Sequence, residues 1–210
     1  MEYPAISTTL SQNEKLQQYY RFQSRIYDLT RWAFLFGRSK VLNKIPLLAD
    51  DVNYILEVGC GTGRNLIKLA EKYPKAIIIG IDISEDMVEI ASEATRMYPN
   101  IQVIRTAFPP DAVGKFDIVL MSYVLTMMNP GWEFWITAVN SLLKPRGYFA
   151  VVDFHNSPFQ WFKNHMKGHH VKMEGHVMES LRSNFKHFDY QIENAYFGCW
   201  SYFTFVGKSK

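Results

Sequence analysis

Three glycines at alternating positions follow an apolar run in the stretch ILEVGCGTGRN, which spans residues 55–65. One acid, Glu57, lies two residues before Gly59, and a second, Asp82, ends the next apolar run 19 residues after Gly63. A strand that turns through glycines into a helix presents the backbone N–H groups of the helix N-terminus to a ligand. The spacing therefore predicts a binding site for a nucleotide-like ligand.

The spacing of these glycines differs from the dinucleotide-binding fingerprint G-x-G-x-x-G. The third glycine comes one position early, and Arg64 occupies the place where it would stand. Tight turns between a strand and a helix also use glycine for purely steric reasons, so the glycines alone do not identify the ligand. The two acids, at their distances from the glycines, add the information that the glycines lack.

The glycine turn lies within a regular alternation of strand and helix patterns. Apolar runs typical of buried strands alternate with segments of helical apolar spacing, which predicts a parallel sheet covered by helices on both faces. Broken helices are expected at 157–185, and residues 1–50 have helical spacing. The predicted strands are 53–59, 75–84, 101–105, 115–124, 146–154, 187–198 and 201–209, and the predicted helices between them are 64–73, 84–98 and 130–145.

Composition restricts the class of protein. The 210 residues are 48 % apolar and 20 % charged, as is typical of a globular protein. No apolar run reaches the ~18 residues of a membrane span, and the first residues lack the apolar core of a signal peptide, so a cytoplasmic location is expected. Two cysteines without a C-x-x-C pair predict neither a disulfide framework nor a zinc ribbon.

Charge is distributed unevenly along the chain. Residues 1–50 and residues 156–210 each contain seven Lys/Arg against four Asp/Glu, whereas residues 51–155 contain nine against twelve. Basic flanks around an acidic centre favour an anionic partner or surface, although scattered solvated charges produce the same balance.

The pattern E-x-G-x-G-x-G from Glu57 to Gly63, with Asp82 closing the next strand, resembles the class I methyltransferases that use S-adenosylmethionine. The resemblance is strongest over residues 51–155. It implies an α/β, doubly wound, Rossmann-like fold with a mostly parallel sheet of seven strands, the last of them reversed, and a helical N-terminal cap. The implied division is a cap at 1–50 and a methyltransferase domain at 51–210, with a helical insertion at 156–183. S-adenosylmethionine is the implied cofactor.

The family's cofactor contacts are carried over to matching positions. Gly59 and Gly61 are expected to let the backbone approach the methionine and ribose portions of the cofactor, where a Cβ would collide. Asp82 is expected to accept hydrogen bonds from both ribose hydroxyls, and Ile83 and Met87 to pack against the adenine. The full set of cofactor-binding residues implied is Tyr27, Arg38, Glu57, Gly59, Cys60, Gly61, Gly63, Asp82, Ile83, Met87, Thr106, Ala107 and Ser122.

One position departs from the family pattern. After the third strand the family usually has Asp or Asn and then a small residue, and here Thr106 and Ala107 stand there. The backbone is therefore expected to share the contact to the adenine amino group. A nicotinamide dinucleotide is the alternative cofactor, and a methyltransferase fold that binds without turnover is a further alternative.

Several substrate classes lack their signatures. SYVL at 122–125 replaces the Asn/Asp-Pro-Pro-aromatic motif of enzymes that methylate nucleic-acid amino groups, and no array of arginines and stacking aromatics is evident. No nucleic-acid partner is expected. The histidines at 165, 169, 170 and 176 are interrupted by Gly168 and have no acid or cysteine to complete a ligand set, so no metal is predicted.

The segment RIYDLTRWAFLFGR at 25–38 most resembles bacterial betaine-lipid N-methyltransferases, which trimethylate the amino group of a diacylglyceryl-homoserine headgroup. Enzymes that act on phosphatidylethanolamine are similar in plan. By this resemblance Tyr27 contacts the cofactor or the substrate amine, and Arg38 pairs with a carboxylate. The predicted substrate is a lipid headgroup or small-molecule amine, with a soluble small molecule or a quinone as the alternative. A helix that merely covers the sheet, with Tyr27 as a core aromatic, explains the same pattern.

The chemistry needs a neutral nitrogen in line with the methyl group. Alignment supplies much of the rate enhancement, and an α-amino group with a pKa near ~8 needs only modest help to lose its proton. Tyr27 and His155, just past the fifth predicted strand, are the predicted catalytic residues.

The basic N-terminal segment also predicts peripheral contact with the inner face of a membrane. Arg21, Arg25 and Arg31 lie close to one helical face, with aromatic residues nearby. The oligomeric state is left open.

Overall fold

The computed structural model describes residues 35–109 and 115–209, and it confirms the predicted α/β fold. Its strands are β1 Tyr54–Val58, β2 Ile77–Asp82, β3 Ile101–Arg105, β4 Phe116–Ser122, β5 Leu143–Asn156, β6 Lys186–Ala195 and β7 Trp200–Lys208. They form one seven-stranded sheet in the order β3-β2-β1-β4-β5-β7-β6. Strands β1 to β5 pair in parallel, and β7 is antiparallel to both β5 and β6.

Six helices are described, α1 Arg38–Lys44, α2 Arg64–Lys72, α3 Glu85–Thr95, α4 Trp132–Leu142, α5 Gln160–Gly168 and α6 His176–Asn184. Short 3₁₀ turns occur at Ala49–Asp51, Leu125–Met127 and Tyr196–Gly198. Within 35–109 and 115–209, no helix has both the length and the apolarity that crossing a membrane requires.

Alternation along the strands divides the core into two clusters, one on each face of the sheet. On β5, Ala150, Val152 and Phe154 belong to the cluster that also contains buried residues of α1, α2, α3 and α5. Phe149 and Val151 belong to the other cluster, with buried residues of α4 and α6. The parallel strands β1, β2, β4 and β5 are therefore largely buried on both sides, which explains their apolar sequences, whereas the edge strand β3 is only partly buried.

The helix after β2 begins where the sequence predicts. Ser84 is the N-cap of α3, and its hydroxyl accepts a hydrogen bond from the backbone N–H of Met87 at 3.4 Å. Glu85 and Asp86 lie in the first turn, where their charges interact favourably with the helix dipole. This cap fixes the direction of the chain immediately after Asp82.

The boundary between α4 and β5 differs from the prediction of a helix to residue 145. The helix ends at Leu142, because Leu143 already pairs with Phe116 on β4. The register then shifts before Ile118 pairs with Tyr148, so β5 begins with an irregular segment. Pro145, which lacks an N–H, lies in that irregular segment.

The N-terminal part of the predicted cap, residues 1–34, lies outside the described residues. Its described end contains α1, which packs against β5 and β7. The two helices α5 and α6 lie between β5 and β6, in the segment predicted as an insertion. The division into a cap, a methyltransferase domain and an insertion stays a prediction.

Candidate active site

A cavity opens at the carboxyl ends of the parallel strands, beside the point where β1 separates β2 from β4. This is the topological switch point of the sheet, where open α/β folds bind their ligands. Nine of the thirteen residues predicted to bind the cofactor line this cavity: Arg38, Gly59, Gly61, Asp82, Ile83, Met87, Thr106, Ala107 and Ser122. Because they come from four different strand ends, the fold brings together residues that are far apart in sequence.

Asp82 is fixed at the end of β2 by the glycine turn and by the start of α3. One carboxylate oxygen accepts a hydrogen bond from the backbone N–H of Gly61 at 2.9 Å, and the other accepts one from Ser84 at 2.9 Å. The turn itself is tied to β2, since the N–H groups of Gly59 and Cys60 both donate to the carbonyl of Ile81. The carboxylate therefore has one defined orientation at the wall of the cavity.

The three glycines have different physical roles, although all have left-handed backbone conformations. A Cβ on Gly59 would lie 2.5 Å from a methyl of Val124, whereas a Cβ on Gly61 would have no atom within 4 Å. A Cβ on Gly63 would lie 3.2 Å from Ala91 and Thr95 of α3. Only Gly61 therefore leaves space that a ligand can occupy, whereas Gly59 and Gly63 allow close packing within the chain.

Glu57 lies beneath the glycine turn, not on the wall of the cavity. It is 1 % exposed, and one of its oxygens accepts a hydrogen bond from the Asn65 amide at 2.7 Å. Burial raises the pKa of Glu57 to about 8, although the Asn65 bond and the charge of Arg38 oppose the shift. The carboxyl group of Glu57 is therefore largely protonated at neutral pH, and it supports the turn as a neutral group.

We expect Glu57→Gln to reduce the dependence of stability on pH. The folded pKa lies above the ordinary value of 4.5, so the stabilisation by neutral Glu57 is complete below about pH 4.5 and is lost as the pH rises through about 8. A glutamine does not titrate, so the variant should gain stability relative to the native chain across this interval. Urea unfolding at a series of pH values measures the effect.

Asp153 provides the internal control for that experiment. It is fully buried on β5, its carboxylate accepts hydrogen bonds from the hydroxyl and N–H of Thr126, and burial raises its pKa to about 6. Its titration therefore affects stability mainly below pH 6, so the slope above that pH reports on Glu57. Equal slopes for Glu57→Gln and the native chain above pH 6 would contradict a neutral Glu57.

The wall beside α3 has the properties expected of an adenine site. Ile83 and Met87 line it with apolar surface. The Thr106 hydroxyl donates to the carbonyl of Phe108 at 2.7 Å, and the Thr106 N–H donates to the carbonyl of Asp82 at 3.0 Å. Thr106 thus shapes a local turn with its side chain, and the expected backbone contact to the adenine amino group stays a prediction.

The opposite wall joins β4 to the chain before α1. The Arg38 guanidinium donates through Nε to the Ser122 hydroxyl at 3.3 Å. The Tyr123 hydroxyl donates to the carbonyl of Phe36 at 2.7 Å, and the Tyr123 N–H donates to the carbonyl of Val152. These bonds hold the chain at Gly37 and Arg38 beside the cavity.

Sequence reasoning missed part of the lining. Tyr123 has a left-handed backbone, with φ of 60°, and the chain after it turns into the 3₁₀ segment that brings two methionines to the cavity. The stretch SYVL was noted only for the motif that it lacks, although a bulky residue directly after a buried strand at a switch point is itself a usable signal. The unpredicted lining residues are Leu35, Val58, Ile81, Tyr123, Val124, Met127 and Met128.

His155, which is predicted to be catalytic, is not among the residues that line the cavity. It follows Phe154 on β5, so its side chain points to the opposite face of the sheet, where its ring lies beside Phe203. The N–H of Gly175 donates to the His155 carbonyl, and a Cβ at Gly175 would lie 3.2 Å from the imidazole. The catalytic role of His155 stays a prediction. Tyr27, the other predicted catalytic residue, lies outside the described residues.

Cys60 and Gly63 also lie away from the cavity lining. The Cys60 side chain is buried in the core, and burial raises the pKa of its thiol well above the ordinary value. Gly63 begins α2 and lies against α3. Their contribution to cofactor binding therefore stays a prediction, and its physical basis is the shape of the turn.

The histidine-rich region forms no described metal centre. The ring of His165, on α5, lies 4.8 Å from the ring of His169, which follows the last residue of that helix. Across residues 35–109 and 115–209, no three His, Cys, Asp or Glu side chains gather as a metal site would require. The absence of a metal stays a prediction.

Comparison with known proteins identifies the domain. Residues 56–149, which contain the glycine turn, Asp82 and all of β4, match a family described as a methyltransferase domain. The chain has the fold of the class I methyltransferases, and the family match covers somewhat less than half of its length. S-adenosylmethionine is the cofactor of this class, so the predicted cofactor is confirmed and the nicotinamide alternative is disfavoured.

Two relatives show how far the similarity of sequence extends. An uncharacterized protein of Rickettsia prowazekii is 32 % identical over 129 residues, which cover 59 % of this chain and 48 % of the relative. The demethylmenaquinone methyltransferase of Staphylococcus carnosus is 26 % identical over 159 residues, which cover 73 % of this chain and 66 % of the enzyme. This chain spans about half or less of the length of the other curated relatives that it matches.

Solved methyltransferase structures share the fold at low sequence identity. The 1,6-didemethyltoxoflavin-N1-methyltransferase of Burkholderia thailandensis, solved with S-adenosylhomocysteine, has a TM-score of 0.71 at 15 % identity and covers 100 % of this chain and 93 % of its own. Phosphoethanolamine N-methyltransferase 2 of Haemonchus contortus, solved with phosphomonomethylethanolamine and S-adenosylhomocysteine, has a TM-score of 0.67 at 13 % identity, covering 88 % and 59 %. These similarities concern the fold alone.

Proposed function

We propose that the protein is an S-adenosylmethionine-dependent methyltransferase that N-methylates the amino headgroup of a lipid of the diacylglyceryl-homoserine or phosphatidylethanolamine type. The observation that carries the proposal is the place of Arg38. This residue ends the segment that resembles betaine-lipid enzymes, and it lines the cavity that also contains Gly61 and Asp82. The described end of the segment 25–38 therefore lies beside residues of the cofactor motif, which supports the proposal.

The residues of the cavity fit the proposed cofactor. The space above Gly61 accepts the ribose, the fixed carboxylate of Asp82 suits its hydroxyls, and the apolar wall of Ile83 and Met87 suits the adenine. When bound, the cofactor supplies an electrophilic methyl group. The chain's contribution is to hold an amine in line with that group and to exclude competing water. Arg38 is suited to pair with a carboxylate of the cofactor or of the lipid headgroup.

Two features support an amine on a lipid. The structural neighbour from Haemonchus contortus was solved with phosphomonomethylethanolamine, an amine closely related to a phospholipid headgroup. The segment at 25–38 is rich in aromatic residues, which stabilise the quaternary cation that repeated methylation produces by roughly 0.5–2 kcal/mol. The Staphylococcus carnosus relative, named for demethylmenaquinone, keeps a quinone as the second candidate substrate.

The test is a label-transfer experiment. The protein is incubated with methyl-labelled S-adenosylmethionine and, separately, with a total lipid extract, a quinone fraction and a water-soluble metabolite fraction. We expect label in an aminolipid, with the headgroup identified by mass after hydrolysis. Label confined to the quinone or to the soluble fraction would replace the proposed substrate. Cofactor binding without any labelled product would support a binding role.

Tyr27 is expected to affect turnover more than cofactor binding. Tyr27→Phe keeps the aromatic ring and removes only the hydroxyl that is proposed to contact the amine, so kcat should fall well beyond twofold while the Kd for S-adenosylmethionine stays nearly constant. Tyr98→Phe is the matched control, because it removes the same hydroxyl from a residue that does not line the cavity. A kcat for Tyr27→Phe within twofold of the native value excludes the hydroxyl contact.

A further inference from the structure

Five exposed aromatic side chains are here named the aromatic rim. Trp161 is 63 % exposed on α5, and Phe197 is fully exposed in the turn between β6 and β7. The other members are Phe36, Phe159 and Tyr196. Phe36 contacts Tyr196 with ring centroids 5.5 Å apart, and Phe159 contacts Trp161 at 6.2 Å. Exposed aromatic groups of this extent mark interaction surfaces.

The aromatic rim shares its edge of the sheet with the cavity. Strands β5 and β6 both end at this edge, β7 begins there, and α5 follows directly after β5. Phe36 connects the aromatic rim to the cavity. Its neighbour Leu35 lines the cavity, and the Phe36 carbonyl accepts a hydrogen bond from the Tyr123 hydroxyl. A partner surface that contacts the aromatic rim would therefore lie beside the mouth of the cavity.

The backbone holds the tip of the rim in an unfavourable conformation. Tyr196 and Phe197 are consecutive aromatic residues with φ of 48° and 57°, a left-handed region that bulky residues rarely adopt. Trp200, three residues later, is buried, whereas the Phe197 ring is exposed to solvent. Strain that presents an apolar ring to solvent is characteristic of a functional surface.

The chain beside the rim is basic. Residues 156–173 contain three lysines and no Asp or Glu. Lys163 and Lys167 lie on α5, the helix that carries Trp161, and within the described part of the chain neither forms an ion pair. Aromatic rings combined with lysines suit the boundary of an anionic bilayer, where rings enter the interface and lysines contact the headgroups.

We infer that the aromatic rim inserts into the surface of an anionic lipid bilayer and places the mouth of the cavity against the lipid headgroups. This inference deepens the proposed function, since it gives a headgroup enzyme its route to the substrate. The residues of the aromatic rim are different from Arg21, Arg25 and Arg31, the arginines from which the sequence predicts membrane contact. Charge complementarity and the shared edge favour a bilayer over a protein partner.

Sedimentation with vesicles tests the rim directly. The full chain is mixed with phosphatidylcholine vesicles containing roughly 30 % phosphatidylglycerol, which gives an anionic surface. Phe197→Ser and Trp161→Ser should each weaken vesicle binding by roughly tenfold, since each removes a large apolar group from the interface. Both side chains are exposed, so thermal unfolding should stay near that of the native chain.

Met97→Ser is the matched control. Met97 is 78 % exposed and lies between α3 and β3, at the opposite edge of the sheet. This variant should bind vesicles as the native chain does. If Met97→Ser weakens binding as much as Phe197→Ser, the association is nonspecific and the rim is overturned.

The lysines provide a separate electrostatic test. The double variant Lys163→Ser/Lys167→Ser should lose roughly fivefold or more in affinity for the anionic vesicles and little for pure phosphatidylcholine vesicles. Raising the salt concentration from about 0.05 to 0.5 M should reduce the difference between the native chain and this variant. Equal affinity of the two chains for anionic vesicles at low salt contradicts the contribution of α5.

The remaining outcomes separate the inference from the proposed function. If vesicle binding depends on Phe197 but label appears only in soluble acceptors, the membrane contact of the aromatic rim is supported and the proposed lipid substrate is contradicted. If an aminolipid is labelled but neither Phe197→Ser nor Trp161→Ser affects vesicle binding, the proposed function is supported and the membrane contact of the aromatic rim is contradicted. A native dimer that becomes a monomer in Phe197→Ser by sedimentation velocity, without a change in vesicle binding, assigns the rim to a second copy of the chain.

Discussion

Replacing Asp82 by alanine is expected to weaken the binding of S-adenosylmethionine at least tenfold. Hydrogen bonds to a charged group contribute roughly 1.5–3 kcal/mol, and every 1.4 kcal/mol is about a factor of ten in affinity. The carboxylate is held at the cavity by the N–H groups of Gly61 and Ser84, so it does not have to be ordered when the ligand binds. Isothermal titration measures the change.

The same substitution also removes two backbone hydrogen bonds, so a matched control is needed. Asp117, at the start of β4, accepts hydrogen bonds from the backbone N–H groups of Asn53 and Tyr54 and pairs with Lys144. It lies at the amino edge of the sheet, away from the cavity. Asp117→Ala should lower stability by a similar amount and leave cofactor affinity unchanged. An Asp82→Ala variant that binds as the native chain does would exclude the ribose role.

The fold was predictable because the central parallel strands are buried on both faces. Apolar runs such as 77–81 identify parallel strands without any tertiary information, and the glycines after Val58 locate the turn at the switch point. The end of α4 was not predictable from helical spacing. Leu143 has the spacing of a helical residue, but its pairing with Phe116 on β4 draws it into β5. Pairing with a distant strand has no local signature.

The site was predictable where a motif coincides with the end of a strand. Gly61, Asp82 and Met87 line the cavity because their distances along the chain match the turn, the strand and the first helical turn that position them. His155 shows what sequence distance leaves open. Its place near the end of β5 follows from the strand pattern, but the face of the sheet on which its ring lies depends on a one-residue alternation, and the structure places the ring beside Phe203.

Gly59 shows a second limit. Its sequence context is the same as that of Gly61, and both were expected to make room for the cofactor. What distinguishes them is Val124, which follows β4 and lies 65 residues later in the chain. No motif contains that contact. Only the structure therefore shows that Gly59 makes room for Val124 and that the space beside Gly61 is open to a ligand.

This difference leads to a paired prediction for the two glycines. Gly59→Ala should destabilise the fold by roughly 2–4 kcal/mol, because the new Cβ approaches Val124 to 2.5 Å and the left-handed backbone adds strain. Gly61→Ala has the same backbone strain, roughly 1–2 kcal/mol, but meets no neighbouring atom. Gly61→Ala should therefore keep most of the stability and lose at least tenfold in cofactor affinity.

Urea unfolding and isothermal titration on both variants distinguish the two roles. A matched rescue is available for Gly59, since Val124→Ala removes the methyl groups that the new Cβ approaches. The double variant Gly59→Ala/Val124→Ala should recover part of the stability lost by Gly59→Ala, whereas Val124→Ala should not restore cofactor binding to Gly61→Ala. If Gly61→Ala unfolds as readily as Gly59→Ala, or binds the cofactor normally, the space above Gly61 is not the ribose site. Recovery of stability confined to the Gly59 pair, with affinity loss confined to Gly61, would place the cofactor directly over the second glycine of the turn.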